Sequence, residues 1–194
     1  GIVVIANGKC TFTKCVNKAD ITVNAYDTTN SEDADRVDSQ GGEANGIAGL
    51  AFNSTATKCS NSGKITANGD LRWASERISA IGLFGSINGI TNSKNTGTIT
   101  AKNVSKGDYA SGEVLAVGIA GEVDGLGKKM VSCYNTGKIS ASNNSKEVAT
   151  VAAGILSDAT KMDTKIMKCY NTGAVQISGV AGAKTGIKSG AGGI

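Results

Sequence analysis

Along this chain apolar residues alternate with polar or small ones at a spacing of two. Leu115, Val117, Ile119, Gly121 and Val123 form one such run, and Ile81, Leu83, Gly85 and Ile87 another. Side chains on a strand point to opposite faces in turn, whereas a helix needs a spacing of three to four, so the pattern predicts strands. Gly, Asn, Ser and Thr break the runs too often for an amphipathic helix. The 27 glycines in 194 residues disfavour helices further.

The runs repeat. One block reads Cys133-Tyr134-Asn135-Thr136-Gly137-Lys138-Ile139, and related blocks begin at Cys15, Cys59, Ser93 and Cys169. Each carries an asparagine two residues on: Asn17, Asn61, Asn95, Asn135 and Asn171. Upstream of each lies a glycine followed by an aliphatic residue. With Ile2, Ile47, Leu83, Ile119 and Ile155 as markers, the intervals are 45, 36, 36 and 36 residues, and Ile194 follows Ile155 by 39. Self-similarity at this period marks a solenoid, propeller or array in which each unit buries its apolar face against its neighbours.

With strands as the unit, the expected fold is all-β: a single-domain, right-handed parallel β-helix of about five coils, its repeats starting near residues 1, 46, 82, 118 and 154. Stacked coils predict internal ladders of Ile2, Ile47, Leu83, Ile119 and Ile155, of Ile21, Ile65, Ile99, Ile139 and Val175, and of Cys15, Cys59, Ser93, Cys133 and Cys169. Asn17, Asn61, Asn95, Asn135 and Asn171 are expected at a turn, each amide bonding to the asparagine above and below and tolerating left-handed backbone. The glycine that follows in four of the five copies is expected to supply a positive φ.

Gly-Leu-Phe-Gly at 82–85, Gly-Ile-Ala-Gly at 46–49 and 118–121, and Cys-Tyr-Asn-Thr-Gly at 133–137 and 169–173 resemble the GLUG repeats. Those repeats occur in large bacterial surface proteins, including the non-catalytic region of IgA-cleaving metalloproteases, and are similar to other β-helical adhesin repeats. The resemblance covers nearly the whole chain. It implies a right-handed β-helix and an extracellular or cell-surface location.

Charge changes this picture little. The 20 basic and 16 acidic residues leave a net charge of +4. No block of Lys and Arg suggests a nucleic-acid site, although single lysines near the turns can form short ladders. No segment approaches the roughly 18 consecutive apolar residues of a membrane span. The chain opens on Gly1 and not Met, as expected of a processed product or an excerpt.

Chemistry is sparse. The chain has no histidine, which excludes a Ser-His-Asp triad, a Cys-His dyad and a His-Glu-x-x-His zinc site. The metalloprotease activity found elsewhere in the resembled proteins therefore does not carry over. Acidic residues fall mostly in variable segments with no repeated pair facing one groove, so neither an enzyme nor a cofactor is expected. Four of the five cysteines share one repeat position, and Ser93 at the fifth implies that the site needs a small residue and not a thiol. Cys10 lies five residues before Cys15, and a bond between them is left open. A thiol metal site lacks a second ligand pair.

The longest insertion spans 24–45; its clustered carboxylates, Asp33 and Asp35 among them, are candidate ligands, but the order of an EF-hand loop is missing and a flexible exposed loop is favoured. Trp73 and Tyr26 lie in connecting regions, where exposed rings can stack on sugars or cover apolar gaps. Tyr134 and Tyr170 fall at one repeat position and are expected to stack on the outer face. An ice-binding face is disfavoured because Thr-x-Thr rows do not repeat through all the coils.

Two non-enzymatic readings follow, with a glycan-binding or glycan-cleaving β-helix as a further alternative. One is a stalk or adhesin repeat region with flanking repeats, contacting a glycan or host surface. The other is a filament in which the first coil, Ile2, Val3, Val4 and Ile5, meets Gly193 and Ile194 of the next copy head to tail.

Overall fold

The computed structural model describes residues 2–26, 41–70, 76–104, 112–124, 129–145, 148–158, 165–179 and 189–193. Among them every regular element is a strand, and the strands pair in parallel.

Four sheets run the length of the stack. Sheet 1 holds Val3–Ala6, Ala48–Thr57, Phe84–Thr91, Ala120–Val123 and Leu156–Asp158, and Thr11–Thr13, Lys129–Val131 and Lys165–Met167 extend the same sheet. Sheet 2 is made of two-residue strands: Val16–Asn17, Ser60–Asn61, Lys94–Asn95, Tyr134–Asn135 and Tyr170–Asn171. Sheet 3 holds Ile21–Ala25, Ile65–Gly69, Ile99–Asn103, Ile139–Asn143 and Val175–Gly179, and sheet 4 holds Gly42–Asn45, Glu76–Ile81, Gly112–Val117, Val148–Ala153 and Gly190–Gly192. The chain thus winds as a parallel β-solenoid of five layers, three of which have a neighbour on both sides.

The aliphatic ladders are in register. Ile21, Ile65, Ile99, Ile139 and Val175 pair layer to layer in sheet 3. Val3 pairs with Ala48, Ala48 with Phe84, Phe84 with Ala120 and Ala120 with Leu156, which places the preceding residues in one row. Ile47, Leu83, Ile119 and Ile155 in that row are fully buried, but Ile2 is 52% exposed. The expectation of an internal Ile2 is corrected: its layer has a neighbour on one side only.

The interior divides in two because asparagine and glycine meet across it. A Cβ placed on Gly82 would lie 3.0 Å from the Asn95 side chain, and one on Gly118 would lie 2.8 Å from that of Asn135. There the solenoid narrows to little more than backbone. One apolar cluster fills the space beside sheet 1, with Phe84, Ile87 and Ile90 at its centre, and another fills the space between sheets 3 and 4, with Ile65, Ile78 and Ile99.

The corners differ from expectation. Lys14, Lys58, Asn92, Ser132 and Lys168, each just before the Cys or Ser of its layer, have φ of 55°, 57°, 50°, 54° and 53°. Left-handed backbone at a non-glycine residue costs about 1–2 kcal/mol. It breaks the alternation, so that Thr13 and Lys14 both lie outside while Phe12 is buried and Cys15 turns toward the core. Gly63, Gly97, Gly137 and Gly173 are therefore not the positive-φ residues. They are glycines because any Cβ there would overlap the carbonyl oxygen of the layer before, as Gly97 would with Gly63.

The expected insertion is shorter at both ends. Asn24 and Ala25 still pair with Asn68 and Gly69, and Gly42–Asn45 pairs with the strand Glu76–Ile81. The alternation of Ile21, Val23 and Ala25 continues to the strand end, and Ala44 belongs to the core. Asp33 and Asp35 lie outside the described residues, as do Trp73 and Ile194.

Gly97→Ala is expected to destabilise by more than about 3 kcal/mol, because backbone must move in two layers. Gly89→Ala, whose Cβ would sit 3.6 Å from Thr55, changes stability little. Urea unfolding midpoints of the two variants check the contrast; equal midpoints would contradict it.

Candidate functional site

The asparagine ladder is continuous. Asn17 Nδ2 donates to Asn61 Oδ1, Asn61 to Asn95, Asn95 to Asn135 and Asn135 to Asn171, each at 2.7 Å. The second Nδ2 proton of each goes to the carbonyl two residues on, at 2.8–2.9 Å. Asn61, Asn95 and Asn135 are fully buried. The expected amide stacking is present, but these asparagines are strand residues and their backbone is not left-handed. A shorter amide ladder adds Asn103 to Asn143, at 2.9 Å.

The cysteine ladder is structural in its contacts. Cys59 Sγ and Cys133 Sγ donate to the Thr57 and Val131 carbonyls at 3.7 and 3.5 Å, and Ser93 Oγ donates to the Thr91 carbonyl at 2.9 Å. Ser93 Oγ also accepts the Cys59 amide at 3.1 Å. A small side chain with one proton to give suits this corner, whether sulfur or oxygen. Cys10, Cys15, Cys59, Cys133 and Cys169 are all free thiols. Burial strips solvent from the thiolate and pushes Cys59 up to about 11 and Cys133 up to about 12. Such thiols are poor nucleophiles at neutral pH.

Two outer features can meet a ligand. The first is a groove of about 310 Å³ where sheet 4 folds back on sheet 1. Its floor includes Ile81, which with Leu115, Val117 and Ala153 forms a third apolar cluster outside the main core. Gly49, Gly85 and Gly121 let the two sheets close: a Cβ on Gly121 would meet Ile81 Cδ1 at 2.9 Å. Glu43, Glu113, Glu122 and Asp158 line the groove, with Arg77 Nε 2.8 Å from Glu113 Oε2. Glu122 and Asp158 are register partners on adjacent strands. The expectation of no shared acidic groove is corrected, because positions in sheets 4 and 1 that lie far apart in sequence converge across the bend. Among the described residues no group of three or more His, Cys, Asp or Glu could hold a metal ion.

The second feature is the outer face of sheet 2 and its flanking corners. Lys14 and Lys18, Lys58 and Lys64, Lys94, Lys138, and Lys168 stand there in successive layers, all exposed. The rows are fixed by ladder bonds such as Lys14 N to Thr57 O and Lys58 N to Thr91 O. Tyr134 and Tyr170 stack in the same rows, centroids 5.1 Å apart and planes 2° apart, as expected from their shared position. Ser60, Ser62, Thr96, Thr136 and Thr172 occupy other outward positions, and Val16 is an exposed apolar residue in the first layer. In these rows the carboxylate among the described residues is Asp20, which accepts the Lys64 amide at 2.7 Å.

The remaining candidate residues are scattered. Tyr26 is exposed at 46%, away from both features, and Val3, Val4 and Ile5 lie at the first layer. Ile2, Val4, Ile21 and Val23 line an open apolar hollow of about 340 Å³ there. At the other end Gly154 N donates to Gly192 O at 2.8 Å, so Gly193 follows in the glycine row. Among the described residues no helix is long and apolar enough to cross a membrane. Comparison with protein-family models, curated proteins and solved structures returned no match.

The raised thiols give a pH signature. In the unfolded chain they ionise near 9, so above that pH the unfolded state loses protons that the folded state keeps. Stability present below about pH 9 is expected to fall as pH rises toward about 11. Cys133→Ser, which installs the residue type found at position 93, should flatten that decline in unfolding curves measured between these limits. A variant as alkali-sensitive as the parent would contradict the assignment.

Proposed function

We propose that the chain is a non-enzymatic structural or adhesive rod of an extracellular or cell-surface protein, such as a stalk or adhesin repeat region. The observation that supports this reading most is the unbroken asparagine ladder with its register-matched outer rows. Each outward position recurs one strand spacing, about 4.8 Å, from its equivalent. Such a lattice suits repeated weak contacts along a surface better than it suits enclosure of one small substrate.

The apolar hollow at the first layer supports a second reading. Ile2, Val4 and Ile5 are 52%, 81% and 55% exposed, and another β-layer would cover them. That layer is either a flanking repeat or the last layer of a second copy stacked head to tail.

Negative-stain microscopy over a concentration series, with adhesion of protein-coated beads to glycan-bearing surfaces, tests both readings. Short single rods and bead attachment are expected for the stalk. Fibres with an axial repeat near five strand spacings, about 24 Å, would establish the filament instead. Release of new reducing ends from polysaccharide by the purified chain, abolished by Glu122→Gln, would overturn the non-enzymatic reading.

A further inference from the structure

We propose that the lysine-bearing face of sheet 2 is a binding surface for a linear anionic polysaccharide, lying along the solenoid axis. This deepens the adhesive reading and rests on it.

Charge distribution carries the argument. Every layer contributes an exposed lysine to this face or its corners, at three register positions: Lys14, Lys58 and Lys168 just before sheet 2, Lys94 on it, and Lys138 just after it. Four of the described carboxylates, Glu43, Glu113, Glu122 and Asp158, gather instead in the groove between sheets 4 and 1. Among the described residues the lysine face carries one carboxylate, Asp20, so its local charge is strongly positive although the chain's net charge is only +4. None of these five ammonium groups has a carboxylate partner among the described residues, so each is available to an anion. From first to last layer the face spans about 19 Å at strand spacing. That length accommodates several charged sugars in extended form.

The scaffold prepays much of the ordering cost. Lys14, Lys58 and Lys168 stand on left-handed corner residues, and the amides of Lys14 and Lys58 are tied to the next layer. The spacing of the layers is set by backbone hydrogen bonds and not by the ligand, and only the side-chain stems remain to be ordered. Between the lysines, Ser60, Ser62, Thr96, Thr136 and Thr172 present hydroxyls that can exchange hydrogen bonds with sugar hydroxyls.

The tyrosines favour sugar over nucleic acid. Single-stranded nucleic acid is held by open aromatic faces on which bases stack. Here Tyr134 and Tyr170 occupy each other's faces at 5.1 Å. One face of each ring is thus taken up by the other, which leaves few open platforms for a run of stacked bases.

Binding of the whole chain to immobilised heparin, a sulfated uronic-acid polysaccharide, tests the proposal against neutral dextran and single-stranded DNA. The parent is expected to bind heparin, to ignore dextran, and to lose affinity steeply between about 50 and about 200 mM salt. Removing Lys58, Lys94 and Lys138 together as serines should weaken heparin binding by about tenfold or more and flatten the salt slope. A control variant, Lys9→Ser, Lys102→Ser and Lys129→Ser, removes the same charge from positions outside sheet 2 and should stay within about twofold of the parent. Matching circular dichroism spectra keep the comparison between folded proteins.

Equal losses in the two variants would overturn the proposal in favour of a net-charge effect. Tighter binding to DNA than to heparin would overturn it in favour of nucleic acid, and no heparin binding by the parent would overturn it outright. Bead attachment to glycan-free surfaces that survives the loss of heparin binding would leave the adhesive rod standing while this inference fell.

Discussion

The fold depends on a row of buried amides. An asparagine side chain inside a protein must satisfy two donors and an acceptor, and in an isolated layer most of those bonds would be missing. A second layer in strict register supplies them, because each Oδ1 then accepts from the Nδ2 of a neighbour at 2.7 Å. Losing one amide leaves buried partners unmet at about 1–3 kcal/mol each, so a slip of one residue would be penalised at every layer. Register is therefore fixed by polar chemistry in the middle of the stack and not by the apolar ladders alone. Aliphatic side chains tolerate sliding; paired amides do not.

That constraint propagates outward. At the bend between sheets 4 and 1 a Cβ on Gly82 or Gly118 would overlap the carbonyl oxygen of the next layer's glycine and crowd the asparagine side chain, so the interior narrows there and the apolar core splits. The split lets sheet 4 fold back on sheet 1 and opens the acidic groove over Ile81 and Leu115. On the far side the same register sets the layer spacing of a face to which each layer adds an exposed lysine. An acidic groove and a lysine-bearing face thus both follow from one internal row.

Much of this was legible in the sequence because it depends on spacing. A period-two alternation inside a 36-residue repeat leads to stacked parallel strands, and the shared positions of Ile65, Ile99 and Ile139 or of Asn61, Asn95 and Asn135 place them in ladders. The left-handed corners were hidden, since Lys14, Lys58, Asn92, Ser132 and Lys168 include no glycine to announce them. Gly63, Gly97 and Gly137 were misread for the related reason that glycine serves close approach as well as positive φ. The groove was illegible because it arises from the bend between sheets, which no single repeat encodes. Glu43 was assigned to a loop, yet it stands on a strand of sheet 4 beside that bend.

The most direct test of this account is the behaviour of the asparagine side chains themselves. Hydrogen exchange followed by nuclear magnetic resonance can resolve the Nδ2 protons of Asn61, Asn95 and Asn135. If the amides form the register-setting spine, those protons exchange as slowly as the backbone amides of the strands Ile65–Gly69 and Ile99–Asn103 beside them. Exchange at the rate of an exposed side-chain amide, with the backbone still protected, would show that the ladder is not what holds the layers in register.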